Sequence, residues 1–355
     1  MMQHADRDGV LRRGGTSFVW ALMALIAVAL PAACESSIGS TSTTASPGSA
    51  ASAAATLPTA LDSMTVNVVK TVSPSVVLIQ TPSGLGSGEI YDTRGDIVTN
   101  AHVVGTATSF VVTTSAGKQL DGTLVGSFPP DDIAVIRVNG SGLKPAKFGD
   151  SSKLQVGEFV LAIGNPLGLE GSVTSGIISA LGRVVSEGAG GGTLPDAIQT
   201  SAPINPGNSG GALVNLASEV VGIPTLAALS PGTQAPAPGI GFAISSNRTR
   251  VIADQLIQNG RVTKSGRAYL GIQTGNTSGG QGTLVVNVVP GGPAAQAGIT
   301  AGTLITGVAG KPTPTTSQLA EVLASLNPGQ TVKVDVVRRD GSTGTVNVTL
   351  GELPG

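Results

Sequence analysis

Between residues 76 and 223 the chain is a succession of short apolar, β-branched runs, each closed by a turn residue. Val76-Val77-Leu78-Ile79, Asp96-Ile97-Val98-Thr99, Ser109-Phe110-Val111-Val112-Thr113, Ile133-Ala134-Val135-Ile136-Arg137-Val138 and Glu158-Phe159-Val160-Leu161-Ala162-Ile163 are examples, with Arg94-Gly95 and Ala116-Gly117 as turns. Each run is too short for a helix and has the composition of a strand. Many short strands at this spacing predict a mainly β chain with one or two antiparallel barrels. The 51 glycines and the low charged fraction of 12% suit tight turns, and 40% hydrophobic residues supply a core. Residues 186–193, with Gly188-Ala189-Gly190-Gly191-Gly192, and residues 230–239, rich in Pro and Gly, interrupt the rhythm and read as surface loops.

The pattern changes twice at the edges. Ahead of the strands, residues 65–70 form one or two helical turns leading to Pro74. Behind them, Val251, Ile252, Leu256 and Ile257 recur at helical spacing and Asn259-Gly260 supplies a stop. A polar linker, 261–267, leads to a second unit of strands and short helices, an α+β module over residues 268–351.

The N-terminus reads as a targeting segment. Arg12-Arg13 precede an uncharged run whose apolar core, residues 18–30, is short for a membrane span and right for a signal peptide. The charge order places the following chain outside the cytoplasm. Leu30-Pro31-Ala32-Ala33-Cys34 loosely resembles a lipoprotein cleavage box, apart from Pro31. Two readings stay open: lipidation at Cys34, or an uncleaved anchor with an incidental cysteine. Residues 1–34 are thus a signal peptide or membrane anchor. Residues 35–61, almost uncharged and rich in Ser, Thr and Ala, are expected to be a flexible linker. The single cysteine excludes an internal disulfide and a cysteine metal cluster. A net charge of −1 gives no footprint for nucleic acid. No cofactor or metal is expected.

Three residues carry candidate chemistry. A serine hydroxyl needs a base, a group that orients the base and donors for an oxyanion. Ser209 lies in Pro206-Gly207-Asn208-Ser209-Gly210-Gly211, whose glycines permit a sharp turn that aims the amides of Gly207 and Ser209 at one point. Of two histidines, His4 and His102, only His102 lies beyond the targeting segment. Asp132 abuts the strand starting at Ile133, and Asp131 is its neighbouring decoy. Each residue alone has an ordinary reading: a Gly-rich loop, a structural histidine, a turn aspartate. The order His, Asp, Ser on a β-rich background is that of the chymotrypsin-type double barrel.

At these residues the sequence resembles the HtrA/Deg family of trypsin-like serine proteases with one C-terminal PDZ domain. The resemblance rests on Gly86-Ser87-Gly88, residues 96–104 through His102, Asp132-Ile133-Ala134-Val135, Ala162-Ile163-Gly164-Asn165-Pro166-Leu167-Gly168, Ile198-Gln199-Thr200, residues 204–211 through Ser209, and Gly239-Ile240-Gly241-Phe242-Ala243-Ile244. It implies a chymotrypsin-like double β-barrel protease domain over 62–260, followed by an α+β PDZ domain over 268–351. It implies His102 as general base, Asp132 as its orienter and Ser209 as nucleophile, with Gly207, Asn208 and Ser209 framing the oxyanion hole. Ile204, Ala227 and Ala228 fall at the specificity pocket, and the loops near 186–193 and 226–239 at the family's activation loops. Tyr269, Leu270, Gly271 and Ile272 match the PDZ carboxylate-binding loop.

Two departures leave the side-chain preference open, Ser201 where Asp is common and the small Ala227 and Ala228; a third, Thr303 after Gly302 where the family has Asp, bears on ligand binding at the PDZ unit. The resemblance implies an exported endopeptidase of the bacterial envelope acting on misfolded or unfolded proteins. It further implies C-terminal peptides as PDZ partners, membrane association through the N-terminal segment and a homotrimer. Two other roles stay open: a binding protein for unfolded chains, and regulation by peptide capture at the PDZ domain.

Overall fold

The computed structural model describes residues 48–82, 84–165, 172–186, 193–205, 207–229, 236–277 and 281–355. The expected signal or anchor segment, Cys34 and residues 35–47 lie outside them. Helix α1 (Gly48–Val72) occupies the rest of the expected linker. This corrects the flexible reading of 48–61. Ala50, Ala51, Ala53, Ala54 and Ala55 are strong helix formers, and Val68 and Val72, one turn apart, are buried against the body of the protein. Tertiary packing of that end secures a helix that composition alone argued against.

The first barrel contains β1 (Val76–Thr81), β2 (Gly84–Ile90), β3 (Asp96–Thr99), the short helix α2 (Ala101–Val104), β4 (Ser109–Thr113), β5 (Gln119–Phe128) and β6 (Ile133–Val138). Its closed order is β1-β2-β3-β6-β5-β4. Alternation decides which side chain goes where. Val77, Ile79, Ile97, Val112 and Ile136 fill the interior. Their chain neighbours Val76, Val98 and Val135 turn outward into a second apolar cluster shared with the other barrel. Both faces of these strands are buried, which is why they read as continuous apolar runs. Complete burial of one such side chain is worth about 1.5–3 kcal/mol before entropy is counted.

The second barrel contains β7 (Phe159–Gly164), β8 (Ser172–Ser186), β9 (Thr193–Thr200), β10 (Ala212–Asn215), β11 (Val220–Leu229) and β12 (Pro236–Ser245), closed in the order β10-β11-β12-β9-β8-β7. Val160, Ala162, Ile178, Ile198 and Leu213 line its interior. Leu161, Ile163, Val214 and Ile223 face the shared cluster. Strand β12 begins at Pro236, so part of the segment expected to be a loop is a sheet strand. Helix α3 (Ser246–Asn259) closes the seam with Ile252, Ala253 and Leu256. The Ser245 side chain caps it, and it stops at Gly260 with φ 69°.

The C-terminal unit has β13 (Ala268–Tyr269), β14 (Ile272–Asn276), β15 (Thr283–Val288), α4 (Pro293–Gln296), β16 (Leu304–Val308), β17 (Lys311–Pro312), α5 (Thr316–Ala324), β18 (Thr331–Val337), β19 (Thr343–Thr349) and β20 (Gly351–Glu352). Its main sheet runs β14-β15-β16-β18-β19, and β13 pairs with β20. Val285, Ile305, Leu319, Val322, Val334 and Val348 give it a separate core. The chain is therefore mainly β, with two six-stranded barrels and an α+β unit. Among the described residues no helix is long and apolar enough to cross a membrane.

Candidate active site

The site is built at the seam of the barrels. Strand β3 ends at Thr99 and the chain turns at Asn100 into α2, so His102 emerges from the first turn of that short helix. Strand β5 ends at Phe128, and a 3-10 turn, Pro129–Asp131, delivers Asp132 in a left-handed conformation (φ 52°, ψ 40°). Asp132 is 2% exposed. Its Oδ1 accepts the His102 backbone amide at 2.9 Å, and its Oδ2 lies 2.8 Å from His102 Nδ1. The Thr225 hydroxyl donates to the same Oδ2. Asn100 Nδ2 donates to the Asp132 carbonyl at 3.0 Å. A carboxylate on Nδ1 makes that nitrogen the donor and leaves Nε2 as the ring's acceptor in the neutral imidazole. The His102 side chain is 48% exposed.

Ser209 lies on the turn between β9 and β10. The turn is closed by Asn208 N donating to Asn205 O at 3.0 Å. Gly207 has φ 104°, a backbone conformation that glycine adopts without steric cost. At Gly210, φ is 81° and an added Cβ would lie 2.2 Å from Ser87 O. No side chain is tolerated there without moving backbone. The Ser209 hydroxyl donates to the Thr225 carbonyl at 3.0 Å. Thr225 thus touches Asp132 with its side chain and Ser209 with its backbone. Among the described residues, the Gly207 and Ser209 amides donate to no protein acceptor. Unclaimed amides on either side of a hydroxyl are what an oxyanion requires.

Two residues of this machinery were not singled out from sequence as site residues. Thr225 is one; its signal was only a threonine inside an apolar strand. Ser87 is the other, quoted above as part of a family block but given no role. It is wholly buried. Its amide donates to Ser209 O at 2.9 Å and its hydroxyl to Gly207 O at 2.5 Å. The hydroxyl also accepts Asn165 N at 2.8 Å, and Thr99 Oγ1 donates to the Ser87 carbonyl at 2.7 Å. One residue of β2 thus pins the nucleophile turn of the second barrel to the first.

Ile204 lines a cavity of about 280 Å³ together with Ala202, Pro203, Asn205, Ile240 and Gly241. None of these is charged. Asn205 belongs both to this wall and to the turn that carries Ser209. Ala227 and Ala228 lie on β11, outside the residues whose side chains are described. Ser201 Oγ accepts the Ile177 amide at 3.0 Å, so this side chain serves the β8 backbone. In the C-terminal unit, Leu270 O accepts Ala294 N and Gly271 O accepts Val289 N, both at 2.9 Å. With these carbonyls turned inward, planar trans peptides turn the Gly271 and Ile272 N–H groups the other way. They lie at the start of β14, the edge strand, which α5 flanks. Tyr269 belongs to β13 and is half-buried.

Comparison with known proteins agrees with this layout. The trypsin-like peptidase domain family matches residues 86–223 and the PDZ domain family residues 268–350. The chain is 44% identical over 306 residues to the serine protease PepD of Mycobacterium tuberculosis, covering 80% of this chain and 65% of that one. It is 42% identical over 279 residues to the periplasmic pH-dependent serine endoprotease DegQ of Escherichia coli, covering 75% and 59%. The chain thus spans less than two thirds of the length of either relative. Among solved structures, the serine endoprotease from Yersinia pestis aligns over 81% of this chain and 97% of its own, with TM-score 0.55 and 37% identity. The HtrA-type protease AlgW with decapeptide aligns over 82% and 99%, with TM-score 0.57 and 29% identity.

Proposed function

This chain belongs to the HtrA/Deg family of trypsin-like serine proteases, and we propose that it is an exported endopeptidase acting on misfolded or unstructured proteins of the bacterial envelope. The observation that carries this reading is the Asp132 carboxylate, which holds the His102 ring at 2.8 Å and is joined to Ser209 through the single residue Thr225. In the reaction, Ser209 Oγ attacks the scissile carbonyl and passes its proton to His102 Nε2. Asp132 holds the ring and stabilises the imidazolium that forms. The oxyanion sits against the Gly207 and Ser209 amides, with Asn208 between them. His102 then protonates the leaving amine, and water enters by the same base to release the acyl group.

Attack requires the Ser209 hydroxyl to leave the Thr225 carbonyl and turn to His102. That is a side-chain rotation, and such bonds commonly close only with substrate present. The uncharged cavity at Ile204 favours cleavage after small or medium apolar residues, with Ala227 and Ala228 as further wall residues. The outward amides of Gly271 and Ile272 suit a peptide's C-terminal carboxylate, the peptide adding a strand beside β14. Peptide capture can regulate cleavage only by favouring the active state.

We take residues 62–260 as the protease domain and 268–351 as the PDZ domain. The N-terminal segment directs export and holds the enzyme at the outer face of the membrane, through Cys34 lipidation or an uncleaved anchor. The assembly is taken to be a homotrimer. Ser209→Ala is expected to abolish degradation of casein, a loss of about 10⁵-fold or more in rate. Casein cleaved at the wild-type rate by that variant would remove the assignment.

A further inference from the structure

Asp131 and Asp132 sit back to back, and the chemistry above uses only one of them. Asp132 faces His102. Asp131 faces helix α3 and the segment leading to the C-terminal unit, and its side chain is 1% exposed. Its Oδ2 accepts Arg248 Nε at 2.6 Å, and Arg248 Nη2 meets the same oxygen. Its Oδ1 accepts Arg267 Nη1 at 3.0 Å, and Arg267 also donates to the Pro130 carbonyl. The two arginines are themselves mostly buried, at 15% and 11% exposed.

Three features give this cluster a purpose beyond packing. Asp132 has φ 52°, a conformation that a residue with a side chain keeps only when its surroundings hold it. The turn immediately before it is the one both arginines grip. Arg248 lies in the first turn of α3, where a positive charge opposes the helix dipole, so its pairing with Asp131 has to offset that position. Arg267 is fixed from the other side. Its carbonyl accepts Leu353 N at 2.8 Å, and Ser265 Oγ donates to Leu353 O at 2.7 Å. It stands two residues before Tyr269, at the root of the peptide-binding loop.

We infer that Asp131 is a positioning residue for the catalytic aspartate, and that Arg267 makes its hold depend on how the PDZ domain is seated. The inference rests on the triad reading. Movement of β13 when a peptide is captured would reach Arg267 first, then Asp131, then the Asp132–His102 pair. None of the three clamp residues borders the cavity at Ile204, so the consequence falls on kcat and leaves KM alone.

The test uses the full chain and its variants Asp131→Asn, Arg267→Ala and Arg267→Lys, with reactive Ser209 counted by a fluorophosphonate and kcat expressed per labelled site. Asp131→Asn and Arg267→Ala are expected to lower kcat per site about tenfold or more, with KM within about twofold. Arg267→Lys, which keeps the charge but not the forked donor, is expected to fall between. The double variant should be no worse than Asp131→Asn alone, because one link is cut in both. A kcat per site within about twofold of wild type in both single variants, with only Tm lowered, overturns the inference and leaves the triad standing. A wild-type chain that takes no label overturns the triad reading and this inference with it.

Discussion

Glu89 lies on β2, two residues after Ser87, wholly buried between Val76 on one neighbouring strand and Val98 on the other. Among the described residues, neither carboxylate oxygen has a hydrogen-bond partner. Burial holds its pKa well above the ordinary value of 4.5, which favours the neutral acid in the folded chain. Below about pH 4.5 both folded and unfolded chains are protonated and nothing is lost. Above it the unfolded chain releases the proton while the folded chain does not, so stability falls as pH rises, by up to about 1.4 kcal/mol per pH unit, until the folded group also ionises. Glu89→Leu is therefore expected to raise Tm more at pH 8 than at pH 5, by urea or thermal melts compared with wild type. An equal gain at both values would show that the carboxyl is not held neutral. Asp132 is the contrasting case, a buried carboxylate with three donors on it. Its sequence context, next to a strand start, was enough to choose it over Asp131. The same context had no way to show that Asp131 is clamped, because its partners lie 117 and 136 residues away.

The turn that carries Ser209 is held by a strand of the opposite barrel. Ser87→Ala would remove the hydroxyl that donates to Gly207 O inside the protein, where an unmet polar group costs about 1–3 kcal/mol. The expected outcome is a lower Tm and a kcat reduced about 10–100-fold, with KM little changed, since the amides proposed as oxyanion donors lie on the turn that Ser87 pins. Unchanged kcat would detach Ser87 from the nucleophile turn. The strands legible in sequence were the uninterrupted runs of β-branched and apolar residues, whether buried on both faces like β1 and β6 or alternating like β4. Strands β5, β9 and β12 were not read as strands. Gly122 and Gly126 break the pattern of β5, Pro195 and Asp196 that of β9, and Pro236, Pro238 and Gly239 that of β12. In each case register with neighbouring strands decides what local propensity does not. Only the end of helix α1, residues 65–70, was legible as helix; its Ala-rich start has the composition of a linker, and the buried Val68 and Val72 anchor only its far end.

At the scale of the molecule, the site exists because two barrels meet. His102 and Asp132 come from the first, and Ser209 and Thr225 from the second. The cluster containing Val98, Val135, Ile163 and Ile223 holds the two faces together. That much was legible from the order of three residues and from the family blocks around them. The internal links through Thr225 and Ser87 were not, because each is an ordinary small polar residue whose role depends on distant partners. On the proposed mechanism, Ser209 is the serine expected to react. The most direct measurement is mass spectrometry of the full chain after reaction with a fluorophosphonate, with peptides mapped across all serines. One adduct, on Ser209, lost in His102→Ala and in Ser209→Ala, is the predicted result. An adduct on another serine, or labelling of Ser209 that does not depend on His102, would contradict the account.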